Sequence, residues 1–329
     1  PRVQRTLATA LAVHARGAGV VLDPRTGEVL ALASVPSFDP QLLDADFTNV
    51  STDARAPLLD RATSGLYPPG STFKIVTAAA ALDSNVVTLA STFHDPGTLP
   101  VGSFVVHDNE GEATGAQDLT GAFALSSNVD FAQIALRLGA DRWLDETSRW
   151  GFGEPIGFTL PVERDRLPTK AELSPGVLAQ LGFGQADLLV TPLRMALVAA
   201  TIGSGGNEPR PYLVSAVREA GRSRSEAAAQ PLRTPLSRDV AAEVSAMMVA
   251  VVRRGTGTAA AIGNVRVAGK TGTATNPAGR SHAWFVAFAP ADAPRVAVAI
   301  VVENAGYGGD VAAPIARRVI AAALARDRE

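Results

Sequence analysis

Segments that favour β-strands lie near both ends of the chain, and helical patterns fill the stretch between them. The strand-like segments are dense in Val, Ala, Ile or Phe and are divided by turns rich in Gly, Pro or Asp. They cover residues 17–22, 28–34, 264–275, 282–289 and 295–303. Strands from both ends can share one sheet if the chain between them is a large insertion. The sequence therefore predicts an α/β (α+β) fold, in which helices flank a central antiparallel sheet that carries an inserted, mostly helical subdomain.

Hydrophobic periodicity and turn residues give approximate limits for these parts. We expect one domain over 1–329, with a sheet subdomain at about 1–60 and 205–329 and a helical subdomain at about 61–204. Helices are predicted at 4–15, near 56–63, and at 72–83, 118–126, 129–139, 141–151, 191–203, 238–252 and 313–325. Short strands are expected near 92–106 and at 212–218. Residues 219–230 are polar and alanine-rich, which is typical of a mobile surface loop.

The composition excludes several classes of function. The chain has 329 residues and a formal net charge of −2, so nothing indicates a nucleic-acid partner. It contains no cysteine, which excludes disulfides and thiolate catalysis. Its four histidines are scattered without the spacing of metal ligands. We therefore expect neither a metal site nor a cofactor.

The start of the sequence suggests that something precedes it. No apolar run reaches the roughly 18 residues that indicate a membrane span. The chain begins at Pro1, inside a helical pattern and without a methionine. We therefore expect that an upstream segment has been removed, and a signal peptide or membrane anchor could have been lost with it.

The first stretch that can carry chemistry starts with Pro68, Pro69 and Gly70, which end a loop. A helix follows, with Ser71 in its first turn and Lys74 in its second. Residues three apart share a helix face, so the Ser71 hydroxyl can lie within hydrogen-bond reach of the Lys74 amine. The backbone N–H groups at the helix start could also stabilise an oxyanion. The pattern suits a nucleophile and its base, although a helix cap and a solvated lysine can have the same spacing by accident.

Lysine is rare in this sequence, which makes each lysine informative. Of 30 basic residues, only Lys74, Lys170 and Lys270 are lysines. Arginine keeps its proton in proteins, whereas a buried lysine, or one near another cation, can lose it. A titratable amine is therefore a reason to keep a lysine where arginine supplies the other cations.

Two further stretches contain polar residues at suggestive spacing. Ser126 and Asn128 are two apart in a predicted loop between helices, where both could face one cleft, but serine and asparagine are also common helix N-caps. Farther on, Lys270, Thr271, Gly272 and Thr273 end a predicted strand. Alternation then places Lys270 and Gly272 on one face and both threonines on the other. Gly272, like Gly269 before it, would leave room for a ligand backbone at the strand edge.

Nucleotide binding is the rival interpretation of this last stretch. Gly269, Lys270 and Thr271 end like a P-loop, which would require a glycine at position 264 and a following helix. Asn264 occupies that position and a turn follows, so a phosphate loop is disfavoured. The segment from Gly255 to Gly257 is also a poor dinucleotide fingerprint, because a helix and not a strand precedes it.

Together, Ser-x-x-Lys, Ser-x-Asn and Lys-Thr-Gly in this order resemble the motifs of penicillin-binding proteins and serine β-lactamases. The resemblance extends over nearly the whole chain, through residues 19–31, 67–74, Gly184-Gln185, Thr191-Pro192-Leu193 and Ala283-Trp284-Phe285-Val286. These segments resemble the transpeptidase domain of class B penicillin-binding proteins. Within that class the chain resembles the penicillin-binding protein A type, and its Arg- and Ala-rich composition is typical of actinobacteria.

The resemblance implies a role for each matching residue. Ser71 would be the nucleophile, Lys74 its general base and Ser126 a proton relay. Asn128 would hold the donor amide and Lys270 would set the electrostatics around Ser126. The backbone N–H groups of Ser71 and Thr273 would form the oxyanion hole. Thr271, Gly272 and Thr273 would bind the substrate, the two threonines through its terminal carboxylate.

The implied reaction is peptidoglycan D,D-transpeptidation. Ser71 would take the acyl group of a D-Ala-D-Ala stem peptide, release D-Ala, and pass the acyl group to an amine of a neighbouring stem peptide. β-Lactam antibiotics would acylate the same serine. Cell-wall elongation or division proteins are the protein partners implied, at the extracytoplasmic face of the membrane.

Two alternatives stay open. The first is a hydrolase of the same superfamily, a D,D-carboxypeptidase or a β-lactamase, which rapid β-lactam turnover would reveal. The Glu-x-x-Leu-Asn of class A β-lactamases is absent, because neither Glu154, Glu163 nor Glu172 is followed by Leu-Asn at that spacing. The second is a non-catalytic β-lactam sensor or cell-wall scaffold module, which failure of covalent labelling by a fluorescent penicillin would favour.

Overall fold

A computed structural model describes residues 1–108, 111–219, 222–276 and 279–325. The α-helices are α1 (Arg2–Leu11), α2 (Leu43–Thr52), α3 (Lys74–Asp83), α4 (Leu119–Leu125), α5 (Asn128–Leu138), α6 (Ala140–Arg149), α7 (Pro175–Leu181), α8 (Pro192–Gly203), α9 (Arg238–Arg254) and α10 (Ala312–Leu324). Short 3₁₀ turns cover Gly70–Phe73, Lys170–Glu172 and Thr258–Ala260. Within these described ranges, no helix combines the length and apolar character needed to cross a membrane.

The strands come mostly from the two ends of the chain and from hairpins. They are β1 (Gly17–Leu22), β2 (Val29–Val35), β3 (Thr92–Asp95), β4 (Thr98–Val101), β5 (Phe104–His107), β6 (Gly115–Asp118), β7 (Glu208–Pro209), β8 (Ala216–Glu219), β9 (Arg222–Glu226), β10 (Pro231–Arg233), β11 (Ala268–Ala274), β12 (His282–Ala289) and β13 (Val296–Val302). The central sheet has the order β11-β12-β13-β1-β2, and its neighbouring strands are antiparallel. The predicted antiparallel sheet that unites both ends of the chain is confirmed.

The sheet is covered on both faces, which explains the composition of its strands. Every residue of β12 and β13 is buried, so these strands are apolar almost throughout instead of alternating with polar residues. Helices α1 and α10 pack on one face, and α8 packs on the other against β1, β12 and β13. Helix α8 belongs to the segment predicted to form the helical subdomain, yet it also contributes to the sheet's core. The subdomain limits stay a prediction.

Some predicted elements are wrong or displaced. The helix expected near 56–63 does not form: Ala56 has a positive φ of 51°, and the Asp60 side chain accepts from Ala62 N, which makes this segment a series of turns. The helix in this region is α2, upstream. Helix α7 was not predicted, although Ser174 caps it with Pro175 in its first turn. The predicted mobile loop contains strand β9, which pairs with β8; residues 220–221 lie outside the described residues.

A buried cation helps to join α8 to the loops beside it. The Arg194 side chain is about 1% exposed and lies 2.7 Å from Asp165 Oδ2 and 3.3 Å from Glu208 Oε1. Its Nη2 also donates to Gly151 O at 2.8 Å. Burial raises the pKa of Glu208 to about 6, and the Arg194 charge acts against that shift.

We expect Arg194→Met to lower the free energy of unfolding by about 3–5 kcal/mol. The substitution leaves Asp165 buried without its cation, and it leaves Glu208 with only the longer contact of its Oε2 to Arg233 at 3.5 Å. Because the Arg194 charge holds the pKa of Glu208 down, that pKa should be higher in the variant. The loss should therefore shrink as pH falls from this higher value toward about 6, where Glu208 becomes protonated in both proteins. Urea unfolding at two pH values measures both effects. Arg149→Met is the control, because Arg149 is 43% exposed and pairs with Asp83 at the surface, where such pairs contribute about 0–1 kcal/mol. Equal losses in both variants would contradict the prediction.

Candidate active site

Ser71 lies in a tight turn directly before a buried helix. The 3₁₀ turn covers Gly70–Phe73 and α3 begins at Lys74, so Ser71 precedes the α-helix and is not in its first turn as predicted. Gly70 has a positive φ of 52°, a left-handed conformation that glycine adopts readily, so the right-handed backbone begins only after it. The side chain of Ser71 is half-buried and faces a cleft of about 710 Å³.

Contacts from both parts of the fold hold this turn in place. Gly70 N donates to Gly184 O at 2.9 Å, in the loop after α7. From the sheet, Trp284 Nε1 donates to Pro68 O at 3.1 Å. Gly184 and Trp284 belong to segments that carry the sequence resemblance described above, and both segments support the turn that contains Ser71.

The Ser126–Asn128 turn presents two side chains to the cleft because a third residue caps the next helix. Ser127 is the N-cap of α5, and its hydroxyl accepts from Asp130 N at 2.9 Å. Ser126, at the C-terminal end of α4, has a positive φ of 65°. The N-cap interpretation therefore applies to Ser127, whereas Ser126 and Asn128 both line the cleft.

Lys74 is fully buried and points to this turn. Its Nζ donates to Ser126 O at 2.5 Å, to Asn128 Oδ1 at 2.9 Å and to Ser126 Oγ at 3.3 Å. Among the described residues, no hydrogen bond joins Lys74 Nζ to Ser71 Oγ. The amine of the first motif is therefore bound to the second motif.

Strand β11 brings the third motif to the same place. Lys270 is fully buried, and its Nζ donates to Ser126 Oγ at 2.7 Å. Thr271 and Thr273 line the cleft, and Thr271 Oγ1 lies 2.6 Å from Thr256 Oγ1. The alternation predicted for the strand is thus present, with Lys270 directed to the helical side and the threonines to the cleft.

Gly272 serves a different purpose from the one predicted. A Cβ at this position would lie 2.9 Å from Thr72 Cγ2 and 3.0 Å from Pro69 O. The space left by the missing side chain is therefore filled by the Ser71 turn and not by a ligand. Gly272 allows β11 to approach that turn closely, which keeps the first and third motifs together.

Burial changes the protonation of both lysines. It lowers the pKa of Lys74 to about 7, although nearby carboxylates, of which Asp108 is the strongest, act in the opposite direction. Burial, together with the charge of Lys74, also holds the pKa of Lys270 well below its usual range. At neutral pH a substantial fraction of Lys74 is therefore neutral and able to accept a proton.

The cleft lies between β11 and the helical part of the chain. Its lining residues include Ser71, Ser126, Asn128, Thr271 and Thr273 from the motifs. The others are Phe104, Val105, Val106, His107, Asp108, Leu125, Gln180, Phe183, Gln185, Thr256, Thr275, Ser281, Tyr307, Gly309 and Asp310. In the part of the chain that the structure describes, no His, Cys, Asp or Glu side chains form a group that could hold a metal ion. A nucleophilic hydroxyl beside two buried amines suits acyl transfer with internal proton movement.

Comparison with known families agrees with this arrangement. The family model described as the penicillin binding protein transpeptidase domain matches residues 17–321. The chain belongs to this family. The resemblance of the sequence to class B penicillin-binding proteins of the A type is also confirmed.

Three relatives of this transpeptidase domain each share about a third of its residues or more. It is 38% identical to peptidoglycan D,D-transpeptidase PbpA of Mycolicibacterium smegmatis, over 94% of this chain and 67% of that protein. A transpeptidase domain from Eggerthella lenta has a TM-score of 0.93 at 37% identity, covering 99% of this chain and 81% of the other. The ceftriaxone acyl-enzyme complex of penicillin-binding protein A from Mycobacterium tuberculosis has a TM-score of 0.92 at 34% identity, covering 98% and 78%.

One aspartate that lines the transpeptidase cleft, and two that are buried near it, were not singled out by the sequence. Asp108 follows β5 and is 7% exposed, and Asp95 and Asp130 are fully buried nearby. The Asp108 carboxylate accepts from Ser127 Oγ at 3.2 Å. The three aspartates lie 13 to 35 positions apart on a strand, a loop and a helix, so no spacing in the sequence could indicate their convergence.

Proposed function

We propose that the chain is a peptidoglycan D,D-transpeptidase in which Ser71 carries the acyl group. The donor is a stem peptide that ends in D-Ala-D-Ala, and the acceptor is an amine of a neighbouring stem peptide. One observation carries this proposal: two buried amines, Lys74 and Lys270, both donate to Ser126 Oγ in the cleft that contains Ser71. An exposed accidental pair of serine and lysine would not have this arrangement.

In the first step, Ser71 Oγ attacks the carbonyl carbon of the penultimate D-Ala. Neutral Lys74 takes the Ser71 proton, which its pKa of about 7 permits near neutral pH. The carbon–nitrogen bond then breaks and D-Ala leaves. Ser126, within 3.3 Å of Lys74 Nζ, passes the proton to the leaving amine, and Lys270 fixes the orientation of the Ser126 hydroxyl.

Backbone and hydroxyl groups would bind the donor during this step. The N–H groups of Ser71 and Thr273 receive the negative charge that develops on the carbonyl oxygen; losing one such donor typically costs roughly 10²–10³ in rate. Thr271 and Thr273 bind the terminal carboxylate through their hydroxyls. Gly272 between them lets the strand lie close to the turn that contains Ser71. Asn128 holds the donor's amide.

In the second step, the acceptor amine attacks the carbonyl carbon of the Ser71 ester and gives up a proton along the same route. The bond between that carbon and Ser71 Oγ then breaks, Ser71 Oγ takes the proton back, and the new amide is released. Water competes with the amine. A β-lactam would acylate Ser71 in the same way, but its leaving nitrogen stays tethered to the acyl group. Without an activated water the ester would persist.

Specific observations disfavour hydrolysis as the main activity. Glu154 pairs with Arg233 at 2.9 Å, and Glu172 accepts from Thr169 N at 2.7 Å at the start of a 3₁₀ turn. Neither these two residues nor Glu163 lines the cleft. A glutamate that could activate water for deacylation is therefore absent from the lining residues described above.

Mass spectrometry after incubation with penicillin tests the proposal. We expect one acyl group per chain, with a mass gain that decays slowly. A D-Ala-D-Ala peptide should then yield a cross-linked product when an acceptor amine is added. Rapid decay of the penicillin adduct would favour the hydrolase alternative. No adduct at all would favour the non-catalytic sensor or scaffold.

The substrate also implies where the protein acts and with whom. Since peptidoglycan is assembled outside the cytoplasm, the domain would work at the extracytoplasmic face of the cell membrane, held there by an anchor on the parent protein. The protein partners would be cell-wall elongation or division proteins. Co-purification from membranes with such proteins tests this part of the proposal.

A further inference from the structure

Asp108 binds the backbone of the second motif. Its Oδ1 accepts a short hydrogen bond from Asn128 N and another from Val129 N at 3.3 Å, while its Oδ2 accepts from Ser127 Oγ at 3.2 Å. These donors belong to consecutive residues at the start of α5. One carboxylate thus fixes the turn that presents Ser126 and Asn128 to the cleft.

Asn128 is held at its side chain as well. Its Nδ2 donates to His107 O at 3.0 Å, and its Oδ1 accepts from Lys74 Nζ at 2.9 Å. His107 and Asp108 are adjacent at the end of the β4–β5 hairpin, so the hairpin accepts hydrogen bonds from both the backbone and the side chain of Asn128. Lys74, Asn128 and Asp108 form a continuous hydrogen-bonded chain through the site.

We propose that Asp108 is a positioning residue for acyl transfer, which holds Asn128 against the donor and Lys74 through the backbone of the Ser126–Asn128 turn. This inference rests on the proposed function. It adds a carboxylate from the β4–β5 hairpin to the three motifs, as a group that acts through Asn128 and does not contact the reacting atoms.

The charges that face Asp108 explain why this carboxylate can also influence Lys74. Burial raises the pKa of Asp108 to about 7, and its hydrogen bond with Asp95 acts in the same direction, while the Lys74 charge opposes it. Burial alone would raise the pKa of Asp95, but hydrogen bonds from Asp108 and other groups lower it to about 2. Burial raises the pKa of Asp130. Lys270 is the other cation of the site, and it donates to Ser126 Oγ. Asp108 is therefore the carboxyl with the largest effect on the pKa of Lys74, and the charge of Lys74 acts on Asp108 in return.

Three variants separate positioning from mere stability. Asp108→Ala removes the acceptor, whereas Asp108→Asn keeps an acceptor oxygen for the α5 backbone and removes the charge. Asp118→Asn is the matched control, because Asp118 caps the neighbouring helix α4 by accepting from Gly121 N at 2.7 Å and does not line the cleft. The second-order rate of acylation by a fluorescent penicillin is measured from about pH 5 to about pH 9, with thermal unfolding of each variant.

We expect Asp108→Ala to lose roughly 10–100-fold in acylation rate across this range, as for displacement of a positioned catalytic group. Asp108→Asn should restore most of the rate at high pH. The acid limb of its pH profile, where the acylation rate rises with pH, should lie at lower pH than in the wild type. The reason is that the carboxylate that raises the pKa of Lys74 is gone. Asp118→Asn should keep both the wild-type rate and the wild-type limb.

Several outcomes would overturn the inference. These are a folded Asp108→Ala that acylates at the wild-type rate, an unmoved acid limb in Asp108→Asn, or an equal shift in Asp118→Asn. If Asp108→Ala does not fold, the position of the acid limb in the pH profile of Asp108→Asn tests the inference by itself. A wild-type chain that takes no acyl group would overturn the proposed function itself and this inference with it.

Discussion

Replacing Ser71 by alanine is expected to abolish covalent labelling by a fluorescent penicillin. The variant lacks the oxygen that would form the ester, and loss of a serine nucleophile in an acyl-transfer enzyme costs roughly a million-fold in kcat. Because the Ser71 side chain is half-buried at a cleft wall and not in the core, the fold should be unaffected. Gel fluorescence and intact mass, together with a thermal unfolding curve, measure both expectations.

Ser84→Ala is the matched control for this experiment. Ser84 lies at the opposite end of α3, where its hydroxyl donates to Ala80 O at 2.6 Å, and it does not line the cleft. This variant should label like the wild type. The result that would refute the assignment is a label that survives in Ser71→Ala; if peptide mapping then placed it on Ser126, the hydroxyl between the two lysines would be the nucleophile instead.

Lys74→Arg is expected to slow acylation by roughly 10²–10⁴-fold, the usual contribution of a general base. Arginine keeps a positive charge near Ser126 and Asn128 but cannot give up its proton. If Lys74 acts as the base, the wild-type rate should also rise with pH through about 7, where the amine becomes neutral, and this acid limb should vanish in the variant. Stopped-flow acylation across pH measures both effects.

The control for this substitution is Lys170→Arg. The Lys170 side chain is 72% exposed and pairs with Asp141 at 2.6 Å on the surface, so the same chemical change occurs far from the cleft lining. Its rate and pH profile should match the wild type. Since an arginine buried in place of Lys74 could also distort the fold, Lys74→Met provides a neutral companion that should be slow as well. Normal acylation by a folded Lys74→Arg variant would refute the general-base role.

Both experiments rest on residues that the sequence already singled out. Ser71 and Lys74 were indicated by their spacing at the start of a predicted helix, and the scarcity of lysine drew attention to Lys74 and Lys270. The order and the chemical type of the motifs were sufficient to identify the family, and the family model that matches residues 17–321 confirms it. The strands could be assigned as well, because β12 and β13 are apolar runs bounded by turn residues.

The side-chain contacts within the site could not be predicted from the sequence. The spacing of Ser71 and Lys74 suggested a direct hydrogen bond, but the buried amine of Lys74 bonds to Ser126 and Asn128. Gly272 was expected to make room for a ligand, but it makes room for Thr72 and Pro69. In each case the partner lies more than 50 positions away or on another element, where local periodicity carries no information.

The sequence by itself determined the type and order of the reactive groups and the antiparallel sheet, because residue chemistry and local periodicity are properties of short segments. Tertiary structure alone decided that Lys74 and Lys270 meet at one hydroxyl, that their burial lowers both pKa values, and that Asp108 grips the Asn128 backbone. Burial and hydrogen-bond partners depend on which distant segments pack together. A carboxylate on a hairpin therefore becomes part of the site only when β5, α3 and α5 are folded against one another.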